Sequence, residues 1–100
     1  MAKRDRARRR AQREHVRDLE RLARLAPGGA ADRPIDVDTP PLVDVMASAS
    51  TCPLCTGGFR LEEHAAETID GVRLRVARVT CTSCGIARDI YFRLRETLPN

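Results

Sequence analysis

Two short cysteine motifs in the second half of the chain have the residue types and the spacing to bind a metal ion. The first is CPLC, at residues 52 to 55, and the second is CTSC, at residues 81 to 84. Two thiolates on one tight turn can bind an ion, and two such turns facing each other make a closed tetrahedral site. The sequence therefore predicts one structural zinc ion with four ligands, Cys52, Cys55, Cys81 and Cys84.

The same cysteine spacing also indicates which other chemistry these thiols could support: iron binding, a redox dithiol or a catalytic metal. Iron in a rubredoxin-like site uses the same ligands, so the sequence leaves iron open beside zinc. A redox dithiol of the thioredoxin type needs one CxxC at a helix start in a βαβ context, which the pattern lacks. Four thiolates leave no position for a water molecule, which argues against a catalytic metal. His15 and His64 are expected to be solvated side chains.

The residues around the cysteines predict three strands. In FRLEEHAAETI, residues 59 to 69, odd positions are mostly apolar and even positions mostly polar, which is typical of a strand. Asp70-Gly71 is a strong signal for a two-residue hairpin turn, and it places Ala65 opposite Val76. A third alternating run follows at 86 to 94. Because the hairpin returns the chain to its start, both cysteine pairs are expected at one end of the sheet.

CPLC before a strand, then a hairpin, then CTSCG before a final strand resembles a zinc ribbon, a fold found in ribosomal proteins, transcription factors and RNA polymerase subunits. The resemblance covers residues 51 to 95 and implies a three-stranded antiparallel sheet with zinc at one end. The expected fold class is thus a small metal-stabilised β domain with an N-terminal basic α-helix. The chain departs from the ribbon pattern at Thr56, where ribbons often have glycine, and Gly57 follows one place later.

The apolar residues available to such a ribbon are few, which predicts that folding depends on the metal. Chain entropy opposes folding by about 1 to 2 kcal/mol per residue, and a small core offsets this poorly without a metal. The candidate core consists of Leu54, Phe59, Leu61, Val72, Leu74, Val76, Val79, Ile86, Ile90, Phe92 and Leu94.

Charge and composition divide the chain into segments. Residues 1 to 25 contain ten basic residues (Lys and Arg) and four acidic residues (Asp and Glu). Residues 26 to 50 contain one basic and four acidic residues, and residues 51 to 100 contain seven basic and six acidic residues. An apolar stripe of helical spacing lies within the first segment at Val16, Leu19, Leu22, Ala23 and Ala26. We predict a basic amphipathic helix over 1–26 with a frayed start, a Pro/Gly/Asp-rich linker over 27–50 with a short strand at 42–46, the ribbon over 51–95 and a tail over 96–100.

The arginine-rich start of the helix predicts contact with RNA or DNA, because basic side chains neutralise phosphates with a strongly salt-dependent affinity. Arginines of the ribbon are predicted to share a face with Tyr91 and to contribute a second surface. The candidate contact residues are Lys3, Arg4, Arg6, Arg8, Arg9, Arg10, Arg13, Arg73, Arg75 and Arg93.

Two other functions fit the same features. The first is a protein-interaction adaptor, in which the apolar stripe of the helix and an open sheet edge bind a protein partner. The second is a thiol redox or metal-handling protein. No Ser/His/Asp order, phosphate-binding glycine loop or carboxylate pair suited to acid/base work stands out, so we expect neither enzymatic activity nor a small-molecule substrate.

The distribution of apolar residues favours a cytoplasmic protein. The first fifteen residues, MAKRDRARRRAQREH, lack the apolar stretch of a signal peptide. No apolar run approaches the roughly 18 residues that cross a bilayer. In a reducing cytosol, paired cysteines are more often metal ligands than structural disulfides. We therefore expect a cytoplasmic location and no membrane association.

Overall fold

The computed structural model describes residues 3 to 95, so the predicted tail at 96–100 lies outside the described residues. Two helices and four strands make up this part of the chain. They are α1 (Lys3–Leu25), β1 (Ile35–Val37), α2 (Pro40–Ala49), β2 (Phe59–Ile69), β3 (Val72–Cys81) and β4 (Ala87–Leu94). Neither helix combines the length and the apolar character that a bilayer-crossing segment requires.

The four strands form one mixed sheet in the order β1-β4-β3-β2. Strands β2, β3 and β4 are antiparallel neighbours, as predicted. However, β1 adds a fourth strand that runs parallel to β4, with Ile35 beside Phe92 and Val37 beside Leu94. The expected sheet of three antiparallel strands is corrected in this respect. A strand of three residues is too short to show the alternation on which sequence prediction depends.

The hairpin has the predicted register, with Ala65 opposite Val76 across the Asp70-Gly71 turn. Both turn residues have positive φ, 49° at Asp70 and 80° at Gly71, as a type I′ turn requires. On the same face, the Arg78 guanidinium contacts three carboxylates, at 3.1 Å from Glu63, 2.8 Å from Glu67 and 3.7 Å from Asp89.

A β-bulge between Leu61 and Glu63 breaks the alternation of β2. Before the bulge, odd residues such as Leu61 face the side of the sheet that α2 covers; after it, even residues do. The apolar odd positions of this strand therefore lie on two faces rather than one. His64, expected to be solvated, consequently points toward α2, where its Nδ1 lies 2.8 Å from Asp44 Oδ1 and its side chain is only 16% exposed.

Residues 42–46 form the middle of α2, so the strand expected there is wrong. The helix begins after Thr39, and two prolines occupy its first turn. Proline is favoured at this position because its fixed φ suits a helix and its missing N–H has no helical partner to lose. Val43 and Ala47, four residues apart, lie on one side of the helix and are fully buried against the sheet.

The core lies between α2 and the face of the sheet that carries Phe92. Its buried members are Val37, Val43, Ala47, Cys52, Phe59, Ala77, Val79, Cys81, Ile90 and Phe92. Val37, Val43 and Ala47 belong to the segment that was predicted to be a linker. They complete the core by covering a face of the sheet that the ribbon segment alone would leave exposed. Val72, a predicted core residue, is instead 45% exposed beside the hairpin turn.

Helix α1 projects from this body, and none of its residues is fully buried. In the described part of the chain, the helix is attached to the body by one ion pair and by the turn that follows the helix. Arg88 Nη2 on β4 donates to Glu20 Oε1 at 2.6 Å, and both side chains are largely buried. Gly28 continues the attachment, since its carbonyl accepts a hydrogen bond from the Tyr91 N–H at 2.9 Å. With φ of 79°, Gly28 also packs too closely on Ile35 to accommodate a Cβ atom.

Candidate metal centre

The four cysteine sulfurs lie together at one end of the sheet, within 4.8 Å of one another. Cys55 Sγ is 3.4 Å from Cys81 Sγ, and Cys52 Sγ is 3.8 Å from Cys84 Sγ. Sulfurs about 2.3 Å from a tetrahedral zinc ion are separated by about 3.8 Å, so the cluster has the dimensions of a four-thiolate site. A disulfide would bring two sulfurs to about 2.05 Å. The geometry is compatible with a zinc-binding site and supplies four donors for one metal ion.

The two cysteine turns have the same backbone hydrogen bonds. In the first, the Thr56 N–H donates to the Cys52 carbonyl at 2.8 Å, and the Cys52 N–H donates to the Gly57 carbonyl at 2.8 Å. In the second, the Gly85 N–H donates to the Cys81 carbonyl at 3.0 Å, and the Cys81 N–H donates to the Ile86 carbonyl at 2.9 Å. Each turn therefore presents its two sulfurs in the same way.

The two turns approach each other closely at Gly57. A Cβ atom at this position would lie 2.6 Å from Ser83 Oγ and 3.1 Å from Cys81 Sγ. The second turn is also joined to the first through Thr82, whose N–H donates to the Gly58 carbonyl at 2.9 Å. Glycine at 57 thus allows the turns to come within range of one ion, a role that the sequence pattern alone did not reveal.

Hydrogen bonds to sulfur shift the pKa values of two thiols in opposite directions. The N–H groups of Cys84 and Ser83 donate to Cys81 Sγ at 3.4 Å, and they lower the pKa of Cys81 to about 6. At Cys55, the Gly57 N–H acts to lower the pKa, but hydrogen bonding to the Cys81 sulfur and burial raise it to about 12. Of these two thiols, Cys81 therefore forms its thiolate more readily, and a bound cation would favour the thiolate form of its ligands.

Cys52 and Cys81 are buried in the core, whereas Cys55 and Cys84 are exposed. The site is thus part of the packed end of the sheet on one side and open to solvent on the other. Four thiolates around a tetrahedral ion leave no coordination position for a substrate or a water molecule. The chemistry of this donor set is that of a structural metal that fixes two turns to each other.

Replacing Thr56 by glycine is expected to stabilise the protein. Thr56 has φ of 63°, the left-handed conformation that Gly85 adopts at the equivalent position with φ of 78°. A residue with a Cβ loses about 1 to 2 kcal/mol there, and the greater chain entropy of glycine offsets part of this. We expect Thr56→Gly to raise the free energy of unfolding by about 1 kcal/mol, measured by urea denaturation with saturating metal.

The matched control for this change is Gly85→Ala. A Cβ atom at Gly85 has no neighbour within 4 Å, so the substitution tests the backbone conformation alone. It should destabilise the protein by about 1 kcal/mol. Equal stability of the wild type and both variants would contradict the equivalence of the two turns.

The basic residues predicted to contact nucleic acid fall into two separate groups. The larger group lies along the first half of α1, where every one of them is exposed to solvent; its members are Lys3, Arg4, Arg6, Arg8, Arg9, Arg10 and Arg13. The smaller group lies on the sheet. The structure does not bring the two groups together into one surface.

The sheet arginines do not form the shared face that the sequence predicted. Arg75 is opposite Phe92 and therefore on the α2 side, as is Arg73, whereas Tyr91 and Arg93 point to the other side. Arg93 is also neutralised, because its Nε donates to Asp36 Oδ1 at 2.9 Å. This bond lowers the pKa of the Asp36 carboxyl.

Comparison with known proteins identifies no relative of this chain. No protein-family model matches the sequence, and neither a curated protein nor a solved structure matches it.

Proposed function

We propose that this protein is a zinc-stabilised binding module that contacts nucleic acid through the arginine-rich half of α1. The module would be related in form to the zinc ribbon, with β1 and α2 as additions to the three antiparallel strands. Zinc fits the four-thiolate donor set, and its role in a closed site is structural. The protein would act by binding rather than by catalysis, in a reducing compartment such as the cytoplasm, where the thiols stay available to the metal.

The observation that carries the proposal is the exposed basic segment of α1. Between Lys3 and Arg13 the helix carries seven basic residues and one acidic residue, Asp5. Apart from the Glu20–Arg88 ion pair, helix α1 has no packing contact with another helix or strand of the described chain, and the molecule extends to 69 Å along its longest axis. The basic segment therefore has room to approach a phosphate backbone without interference from the body.

The spacing of the arginines suits an elongated polyanion. Arg6, Arg9, Arg10 and Arg13 fall within about 100° of arc on one side of the helix. Basic residues continue along the helix at Arg17, and its 23 residues span about 35 Å. A duplex carries one phosphate charge per about 1.7 Å of its axis, so several arginines can be paired at once.

The proposal is tested by measuring the salt dependence of binding to a labelled single-stranded RNA and to a DNA duplex. The test variant replaces Arg6, Arg9 and Arg13 with glutamine. Each phosphate contact contributes about 0.9 units to the slope of log K against log salt on a duplex and about 0.7 on a single strand, so this variant should lower the slope by about three units on the DNA and about two on the RNA.

The matched control removes the same number of charges from the sheet, by replacing Arg73, Arg75 and Arg93 with glutamine. Since Arg93 is already paired with Asp36, this control should keep most of the affinity. Both proteins should retain their metal. Binding that does not respond to salt, or an equal loss in the two variants, would overturn the assignment to α1.

A further inference from the structure

The basic side chains of α1 follow a regular pattern along the whole helix. At about 100° of rotation per residue, seven positions of the helix fall within about 80° of arc on one side. All seven are basic and exposed to solvent, and they are termed the basic stripe: Lys3, Arg6, Arg10, Arg13, Arg17, Arg21 and Arg24. The basic stripe extends over about 32 Å, well beyond the segment that ends at Arg13.

The first turns of α1 are basic on the other side as well. Of the first eight residues of the helix, six are basic. Two residues turn an α-helix by about 200°, so Arg4 and Arg8 point away from the stripe residues that follow them by two. After Arg9, every basic residue of the helix belongs to the basic stripe. The start of the helix therefore carries positive charge on two sides, and its second half on one side only.

The basic stripe is accessible over most of its length. Between residues 3 and 95 it takes part in one ion pair, in which Arg21 Nη1 lies 3.9 Å from Asp18 Oδ1 and both side chains are exposed. An exposed pair at this distance neutralises little charge. The helix is attached to the body at Glu20, so about 25 Å of helix precedes the attachment.

Positive charge on two opposite sides suits a helix that lies inside a groove. A helix on the outside of a duplex meets phosphates on one side, whereas a helix in a groove has a phosphate backbone on each side. The major groove of B-form DNA is about 12 Å wide and admits an α-helix. The major groove of A-form RNA is too deep and narrow for side chains to read. A straight helix also leaves the curved groove after a few turns, and beyond that point it meets one backbone only.

The chain lacks the stacking surface that single strands require. Single-strand sites combine basic residues with aromatic side chains on which bases stack. Helix α1 has no Phe, Tyr or Trp, and Phe59 and Phe92 are buried. Tyr91 points from the face of the sheet opposite to that of Arg88, to which α1 is attached. Within the described chain, no Phe, Tyr or Trp ring therefore lies beside the basic stripe.

An anionic membrane is a less suitable polyanion for the same charges. A helix that lies in a membrane surface inserts an apolar side among the lipids. Between residues 3 and 15, where most of the basic residues lie, the apolar residues are Ala7 and Ala11. This half of the helix therefore has no large apolar side chain to insert.

We propose that the nucleic acid bound by α1 is B-form duplex DNA. The first turns of the helix lie in the major groove, with Arg4 and Arg8 toward one backbone and the basic stripe toward the other. Arg17, Arg21 and Arg24 continue the contact along the backbone that the helix meets as it leaves the groove. This inference rests on the proposed function and names the class of its ligand. Because phosphate contacts carry no sequence information, binding should depend little on base sequence.

The test measures the affinity of the metal-loaded, full-length protein for four labelled ligands of equal length by fluorescence anisotropy. They are a DNA duplex, an RNA duplex, a single DNA strand, and a DNA duplex in which each cytosine carries a glucosyl-hydroxymethyl group at C5. The C5 substituent fills the major groove and leaves the phosphate charge unchanged. The unmodified DNA duplex should bind at least tenfold more tightly than each of the other three.

A double variant, Arg4→Gln with Arg8→Gln, tests the contact with the second backbone. On the DNA duplex it should lower the slope of log K against log salt by about two units, because each phosphate contact contributes about 0.9. Both side chains are exposed and glutamine favours a helix, so the fold should be unchanged. The matched control, Arg73→Gln with Arg75→Gln, removes two charges from the sheet and should leave the slope almost unchanged.

Three results would overturn this inference and leave nucleic-acid binding in place. They are equal affinities for the DNA and RNA duplexes, an unchanged affinity for the glucosylated duplex, and a wild-type slope in the Arg4 and Arg8 double variant. Failure to bind any of the four ligands would overturn the proposed function itself. Tighter binding to phosphatidylserine vesicles than to the DNA duplex would assign the basic stripe to a membrane surface and overturn both.

Discussion

Cys81→Ser is expected to abolish tight metal binding and to leave the sheet and α2 unfolded. Cys81 is 2% exposed at the end of β3, and its sulfur accepts hydrogen bonds from two backbone N–H groups. Structural zinc contributes roughly 10 to 16 kcal/mol to the folding of small zinc domains, more than a core of this size can replace. Serine is a poor ligand in place of a thiolate, so most of this contribution should be lost.

Native mass spectrometry with elemental analysis measures the metal, and circular dichroism measures the fold. The wild type should carry one zinc or iron ion per chain and should unfold when a chelator removes it. Ser83→Ala is the matched control, since Ser83 lies in the same turn but offers no thiolate; it should keep both metal and fold. A folded, metal-free Cys81→Ser protein would show that the core suffices by itself. Two disulfides in place of a metal would instead favour the redox function.

The elements that sequence could predict are those specified by local spacing. The CxxC pairs, the Asp70-Gly71 turn and the alternation of β3 and β4 each depend on neighbouring residues. The hairpin register places Phe59, which follows the first cysteine pair, opposite Cys81 of the second. The four cysteines must therefore lie close together at one end of the sheet. For this reason the candidate metal centre was accessible from the sequence, although its identity as zinc or iron was not.

The elements that sequence missed are specified by tertiary contacts. Strand β1 has only three residues, and it forms because it pairs in parallel with the edge of β4. Helix α2 was mistaken for a strand, because two prolines and the alternating LVDVM suggest extended structure, whereas its buried pair Val43 and Ala47 shows helical spacing. The bulge near Leu61 likewise carries no local signal. Each of these is stabilised by burial, which a single sequence does not display.

The ion pair that attaches α1 illustrates the same limit. Arg88 interrupts an apolar run in β4 and gave no sign of a partner, yet it meets Glu20 from a helix 68 residues earlier in the chain. A charged residue on an apolar face of a strand predicts an oppositely charged partner from another part of the chain, because a buried ion without a partner costs several kcal/mol. That rule would have indicated an acidic partner without naming which one.

Phe92→Ala is expected to have the largest effect of any change outside the cysteines. Phe92 is fully buried, lies between Ile35 of β1 and Arg75 of β3, and packs in the cluster that includes Val43 of α2. Truncation of a buried phenylalanine costs roughly 3 to 5 kcal/mol. With saturating metal, urea denaturation should show this loss, and Phe92→Leu should lose less because it leaves a smaller cavity.

The same substitution tests whether folding and metal binding are one process. If the metal-free protein is unfolded, metal binding must drive folding, and a weaker core appears as a weaker metal affinity. A loss of 3 to 5 kcal/mol then corresponds to a decrease in affinity of roughly two to three and a half powers of ten. Competition with a chromophoric chelator measures this decrease. A lower unfolding free energy with unchanged metal affinity would show that the two cysteine turns bind the ion without the sheet. The metal would then be a local clamp, and the packing of α2 and β1 on the sheet would stabilise the fold independently.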